Sequence, residues 1–130
     1  MSKRIHISSG TKWENYVGYS RALRVGNLVE VSGTVAVDDK GKLVGKNDPY
    51  EQTRFILTKI KNALEEAGAK MEDVVRTRIY VSDINNWEPI GRAHGEFFRK
   101  IKPASTLFQV GTLIGIDFLV EIEATAIISD

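Results

Sequence analysis

Phe118-Leu119-Val120-Glu121-Ile122-Glu123-Ala124-Thr125-Ala126-Ile127-Ile128 carries the clearest pattern in the chain. Its even positions, Phe118, Val120, Ile122, Ala124, Ala126 and Ile128, are all apolar, and its odd positions mix Leu119 and Ile127 with Glu121, Glu123 and Thr125. Successive side chains of a strand point to opposite faces, so the alternation predicts a strand over 119–128 with one wholly apolar face. The opposite face is neither fully apolar nor fully polar. One face is therefore expected to meet helices and the other to meet another subunit, because subunit interfaces resemble cores.

Upstream, Val74 to Ser82 alternates in the same way, with Thr77, Ile79 and Val81 on one face and Arg76, Arg78 and Tyr80 on the other. Thr106 to Val110 reads as a shorter strand. Leu23 to Val25 and Leu28 to Ser32 flank Gly26-Asn27, whose tolerance of positive φ makes a two-residue hairpin turn. Asp48 and Pro49 are an N-cap and first-turn proline for a helix over 49–67, with Ile56, Ile60, Ala63, Leu64 and Ala67 at helical spacing and Gly68 as its left-handed stop. Asn85 or Asn86 caps a second helix whose buried stripe is Ile90, Ala93, Phe97, Phe98 and Ile101 before Pro103 ends it. Hairpin, helix, strand, helix and two strands make an α+β fold of two layers, a mixed sheet with two helices on one face.

At 130 residues the chain is expected to be a single domain, 1–130, burying roughly two thirds of its extended-chain surface. Its 18 Lys plus Arg nearly balance 17 Asp plus Glu, so no long-range field favours a polyanion, and nucleic acid is not an expected partner. With no cysteine there are no disulfides or thiolate metal sites, and His6 has neither a histidine partner at metal spacing nor a cysteine. No metal and no cofactor is expected. Met1-Ser2-Lys3-Arg4 leads into no apolar signal core, and no apolar run reaches the roughly 18 residues of a membrane span, so a cytoplasmic location and no membrane partner are expected.

Few residues carry chemistry, and each has a plainer structural reading. Glu121 and Glu123 share a strand face and could share a pocket or a proton, or they could form an ion-pair ladder with Arg76 and Arg78. His94 borders the apolar stripe of the second helix as a proton shuttle or as a packed and hydrogen-bonded imidazole. Arg99, Lys100 and Lys102 stand where a helix C-terminus favours cations. Trp13, Tyr16 and Tyr19 line a pocket for a planar metabolite or cover the core edge. Gly26, Gly111 and Gly115 lack the strand-to-helix context of a phosphate-cradling loop.

Gly18-Tyr19-Ser20, Arg24-Val25-Gly26-Asn27 and Val31-Ser32-Gly33 resemble the N-terminal signature of the YjgF/RidA (Rid) family. Glu65-Glu66-Ala67-Gly68, Asp73-Val74-Val75, Ile79-Tyr80-Val81 with Asp83, Glu96-Phe97-Phe98, Pro103-Ala104 and Val120-Glu121-Ile122-Glu123-Ala124 follow in family order. The resemblance covers nearly the whole chain. It implies a chorismate-mutase-like subunit, assembly as a homotrimer, and clefts between subunits that bind small carboxylates. It also implies, for the enzymatic branch, hydrolysis of reactive enamines and imines to keto acids and ammonia.

Carried over residue by residue, the resemblance makes Tyr19 the cleft tyrosine, Ser32 and Gly33 the Ser-Gly strand end, and Glu121 the glutamate that positions water or accepts a proton. Two positions depart. The deaminase branch has an arginine directly after Pro-Ala to hold the substrate carboxylate, and here Ser105 and Thr106 follow. A bidentate charged contact contributes about 1.5 to 3 kcal/mol, which neither hydroxyl supplies. The family's asparagine on the second helix is replaced by Gly91 beside Arg92 and His94. The expected protein is thus a homotrimer that binds a small metabolite between subunits, with Ser105 or Thr106 taking a less charged group and Arg78 or Arg92 as substitute cations. The alternative is an enamine/imine deaminase or related hydrolase. An endoribonuclease, a third activity associated with the family, would need an electropositive groove and an acid/base pair.

Overall fold

The computed structural model describes residues 3–129. Six strands form one sheet: β1 (Arg4–Ile7), β2 (Ala22–Val25), β3 (Leu28–Thr34), β4 (Val74–Val81), β5 (Ala104–Gln109) and β6 (Val120–Ile127), in the spatial order β1-β2-β3-β6-β4-β5. All neighbours are antiparallel except β4 and β5, which run parallel around the intervening helix. The three helices are α1 (Lys12–Val17), α2 (Pro49–Glu66) and α3 (Trp87–Phe98).

The alternation in β6 works as the sequence indicates. Val120, Ile122, Ala124 and Ala126 are buried, and they meet Val29, Val31, Thr77, Ile79 and Val81 of the flanking strands and Ile56, Leu57, Ile60 and Leu64 of α2 in one core. The helix begins where Asp48 accepts a hydrogen bond from Glu51 N–H and ends before Gly68, whose φ of +88° closes the last turn. Inside the core α2 carries one fully buried amide, Gln52. Its Nε2 donates to the carbonyls of Gly45 and Asp117, and its Oε1 accepts from Leu119 N–H. That amide ties down the loop that leads into β6.

Two elements go beyond the sequence pattern. β1 adds an edge strand beside β2, and α1 is a third, six-residue helix. Trp13, Tyr16 and Val17 of α1 are exposed and only Glu14 is buried, so the helix has no apolar stripe for periodicity to find. Glu14 instead gathers the hydroxyls of Ser8 and Ser9 and the N–H of Ser9. Burial opposes its charge, and these donors outweigh burial to hold its carboxyl below the ordinary range. β5 starts at Ala104, two residues earlier than the pattern suggests, because its ladder with β4 begins at Arg76↔Ala104. Asn86 holds the N-cap position of α3 without a side-chain bond, and Asp83 caps the preceding 3₁₀ turn through Asn85 N–H.

Candidate functional site

The sheet has a helix-covered face and an open face. Odd residues of β6 point to the open face, where Glu121 stands opposite Tyr80 and Glu123 opposite Arg78. The ion-pair ladder forms at one rung: Arg78 Nη1 lies 3.6 Å from Glu123 Oε1, which also accepts from Tyr80 Oη at 3.0 Å. Arg76 stands opposite Thr125 and reaches Thr106 Oγ1 at 3.4 Å instead. Burial and then the Glu123 hydrogen bond push the Tyr80 hydroxyl above its ordinary pKa, so it stays a donor at neutral pH.

Glu121 is built differently. It is half-buried and belongs to no ion pair among the described residues. Burial raises its carboxyl above the ordinary range, the charge of Arg21 pulls it back, and Glu123 adds to the rise. Its carboxylate lies against Gly33, and a Cβ at that position would collide with it. A break in the β3–β6 register between Val31 and Thr34 makes the approach. Within that bulge Ser32 N–H donates to the carbonyl of Arg21, and Ser32 Oγ donates to the carbonyl of Ser20 at 2.7 Å. Tyr19 stands at the margin, 39% exposed, with its ring 5.8 Å from the guanidinium of Arg21.

The remaining candidates form a second group. Ser105 pairs with Thr77, and both point to the helix-covered side, where Thr77 Oγ1 donates to Ser105 Oγ at 2.8 Å and lies 2.9 Å from His94 Nε2. With Thr77 donating to Ser105, its oxygen is left to accept from the imidazole. Burial pushes His94 below its ordinary pKa, so the ring is neutral at pH 7, and it packs 4.6 Å from Phe98. Thr106, one residue on, returns to the open face opposite Arg78. Arg92 lies on the outside of α3, 4.4 Å above the ring of Tyr50 and 3.7 Å from Glu88.

The chain therefore gathers Glu121, Gly33 and Ser32, with Tyr19 beside them, and sets Arg78 and Thr106 farther along the same face. Ser105 and His94 form their own cluster on the other side of the sheet, and Arg92 is engaged with α2. Three residues that sequence reasoning did not single out as site residues complete these groups: Thr77, which links His94 to Ser105, and Tyr80 and Arg21 on the open face. Arg21 directly precedes β2, and buried Ala22 puts it on the open face; the sequence pattern, which begins that strand at Leu23, does not reach it. Among the described residues no three His, Cys, Asp or Glu side chains gather as metal ligands, and no helix is long and apolar enough to cross a membrane.

The family model described as endoribonuclease L-PSP matches residues 11–128. The chain belongs to the YjgF/RidA family. Among solved structures, a member of the YjgF/YER057c/UK114 family from Mycobacterium tuberculosis is 45% identical, with 97% of this chain and 100% of that one covered and a TM-score of 0.88. The YjgF gene product of E. coli is 31% identical, with 84% and 87% covered and a TM-score of 0.77. A RutC family protein of Pyrococcus abyssi is 38% identical over 108 residues, 83% of this chain and 84% of that protein. YjgF/RidA membership gives the α+β fold its chorismate-mutase-like assignment, and the six-stranded mixed sheet agrees with it.

Proposed function

We propose that three copies of this chain assemble so that the β5 edge of one, carrying Ser105 backed by Thr77 and His94, lies across the open face of the next, and that the recess between them binds a small metabolite. One observation supports this above the others. The two groups of candidate residues lie on opposite sides of a single sheet, so no pocket within one chain can contain both, whereas a neighbouring copy can bring them together. In such a recess Glu121 directs water or accepts a proton, Tyr19 shapes the wall, and Ser32 and Gly33 form the floor. Ser105, where the deaminase branch has arginine, offers hydroxyl chemistry backed by a neutral imidazole.

A coupled assay with freshly generated 2-aminoacrylate tests the reading together with the solution mass. Binding of small metabolites by a trimer without turnover is the expected result. Turnover lost in Glu121→Gln would make the protein an enamine/imine hydrolase instead, and a monomer at working concentration would remove the recess altogether. Ribonuclease chemistry has less support. His6 sits on the exposed edge strand with its Nδ1 2.8 Å from Ser20 Oγ, His94 is half-buried on α3, and the formal net charge is only +1. RNA sized after incubation with purified protein should remain intact, and cleavage abolished by His94→Ala would overturn that assignment.

A further inference from the structure

We propose that Arg21 is the anion-binding residue of the Glu121 recess, taking the carboxylate of the ligand in place of the guanidinium that is absent at Ser105. The inference rests on the small-metabolite reading above and assigns that site a specificity-determining residue.

Position comes first. Ala22 pairs with Val31 and both are buried, so Arg21 points to the open face that carries Glu121. Its backbone is fixed on both sides, with N–H donating to the carbonyl of Ile7 at 2.8 Å and C=O accepting from Ser32 N–H at 3.0 Å. Its Nη2 donates to the carbonyl of Gly33 at 2.6 Å. Gly33 is also the residue against which the Glu121 carboxylate rests, so this one glycine stands between the cation and the anion.

Charge accounting points the same way. Arg54, Arg78 and Arg92 each lie 3.6 to 3.7 Å from a carboxylate, Arg24 donates to the carbonyls of Gly26 and Ala67, and Arg76 reaches Thr106 Oγ1. Arg21 and Glu121 are both half-buried, yet neither takes part in an ion pair among the described residues. Holding opposite charges partly out of water without letting them meet is costly, and such arrangements concentrate at binding sites. Arg21 Nε is moreover a buried donor without a partner. Beyond the bond to Gly33, the guanidinium has no hydrogen-bond acceptor among the described residues.

Other cations nearby are committed. Lys59 donates to the carbonyls of Val37 and Val35, and Arg78 is engaged with Glu123. Tyr19, whose ring is near the guanidinium, closes the side of that site.

The test uses the full, assembled chain and two probes that differ only in charge, pyruvate and neutral pyruvamide, titrated by ligand-observed NMR. Wild type should prefer the acid. Arg21→Gln should weaken pyruvate about tenfold or more and leave pyruvamide within about twofold, with Arg21→Lys between the two. Pyruvate binding that stays within about threefold in Arg21→Gln would overturn the assignment and leave the recess standing. Loss of both probes in a variant of normal mass and circular dichroism would also overturn it, since Arg21 would then serve only to hold Gly33 in place. If wild type binds neither probe, the carboxylate assignment to Arg21 is overturned too, while the solution mass decides separately whether the recess exists.

Discussion

Glu121 is a carboxylate held where the fold would prefer it neutral, and that preference has a measurable sign. Its folded pKa is raised above the ordinary value of 4.5, so the folded chain binds the proton more tightly than the unfolded chain does. The associated stability is fully present below 4.5 and is lost as pH rises through the folded value. Glu121→Gln keeps the shape and removes the charge. It should therefore leave the chain as stable as wild type at pH 4 and more stable at pH 7.5, by between about 0 and 1 kcal/mol after allowance for solvent screening. Urea melts at the two pH values check this, and a variant less stable at pH 7.5 would show that the carboxylate contributes to the fold instead. The sequence could place Glu121 and Glu123 on one face, because strand alternation is a local property. It could not bring Gly33 under the Glu121 carboxylate, since that contact depends on the bulge between Val31 and Thr34. Nor could it separate the two acids by partner, because only the β4–β6 register decides that Arg78 meets Glu123 while Tyr80 faces Glu121.

At the scale of elements, α2 holds the loop that feeds β6 through a single buried amide. Gln52→Leu fits the volume but leaves the carbonyls of Gly45 and Asp117 and the N–H of Leu119 without their partner. Unmet buried groups of this kind destabilise by about 1 to 3 kcal/mol each where water cannot replace the bond, so chemical denaturation should show a loss of at least about 2 kcal/mol. A change under about 0.5 kcal/mol would mean that water or a shifted loop meets those groups. The end of α3 gives the opposite case. Lys102 has a φ of +54° while its N–H donates to the carbonyl of Phe98, a left-handed conformation that glycine adopts without penalty. Lys102→Gly should stabilise the chain by about 0.5 to 1 kcal/mol in a thermal melt, and a lower melting temperature would show that the lysine side chain is needed there. Helices α2 and α3 were legible because proline placement and apolar spacing agree along both, with the Asp48 cap added for α2. The short α1 was not, since its anchor is the polar knot around Glu14, and the amide of Gln52 lies inside the stripe as a polar residue whose partners are distant in sequence.

For the whole molecule, the open face is the surface through which the copies are proposed to meet. Leu28 and Ile127 are cross-strand partners on it, 38% and 45% exposed, and Phe108 is 41% exposed beside Tyr80. A charge placed at Ile127 changes little in an isolated subunit, because the site is already half in water, and surface replacements usually stay within about 0.5 kcal/mol. In a closed threefold assembly the same replacement occurs at every interface, and each copy must bury an unpaired carboxylate. Ile127→Glu should therefore shift the mass by light scattering from three subunits to one, with far-UV circular dichroism retained and metabolite binding lost together with assembly. Lys61→Glu, on an exposed turn of α2, should change neither mass nor binding. The comparison separates a failed interface from a failed fold, because the helical signal comes from α2 and α3, which lie on the other side of the sheet. If Ile127→Glu stays at the wild-type mass and still binds, the copies meet elsewhere, and the residues on the two faces of the sheet do not share a recess by this route.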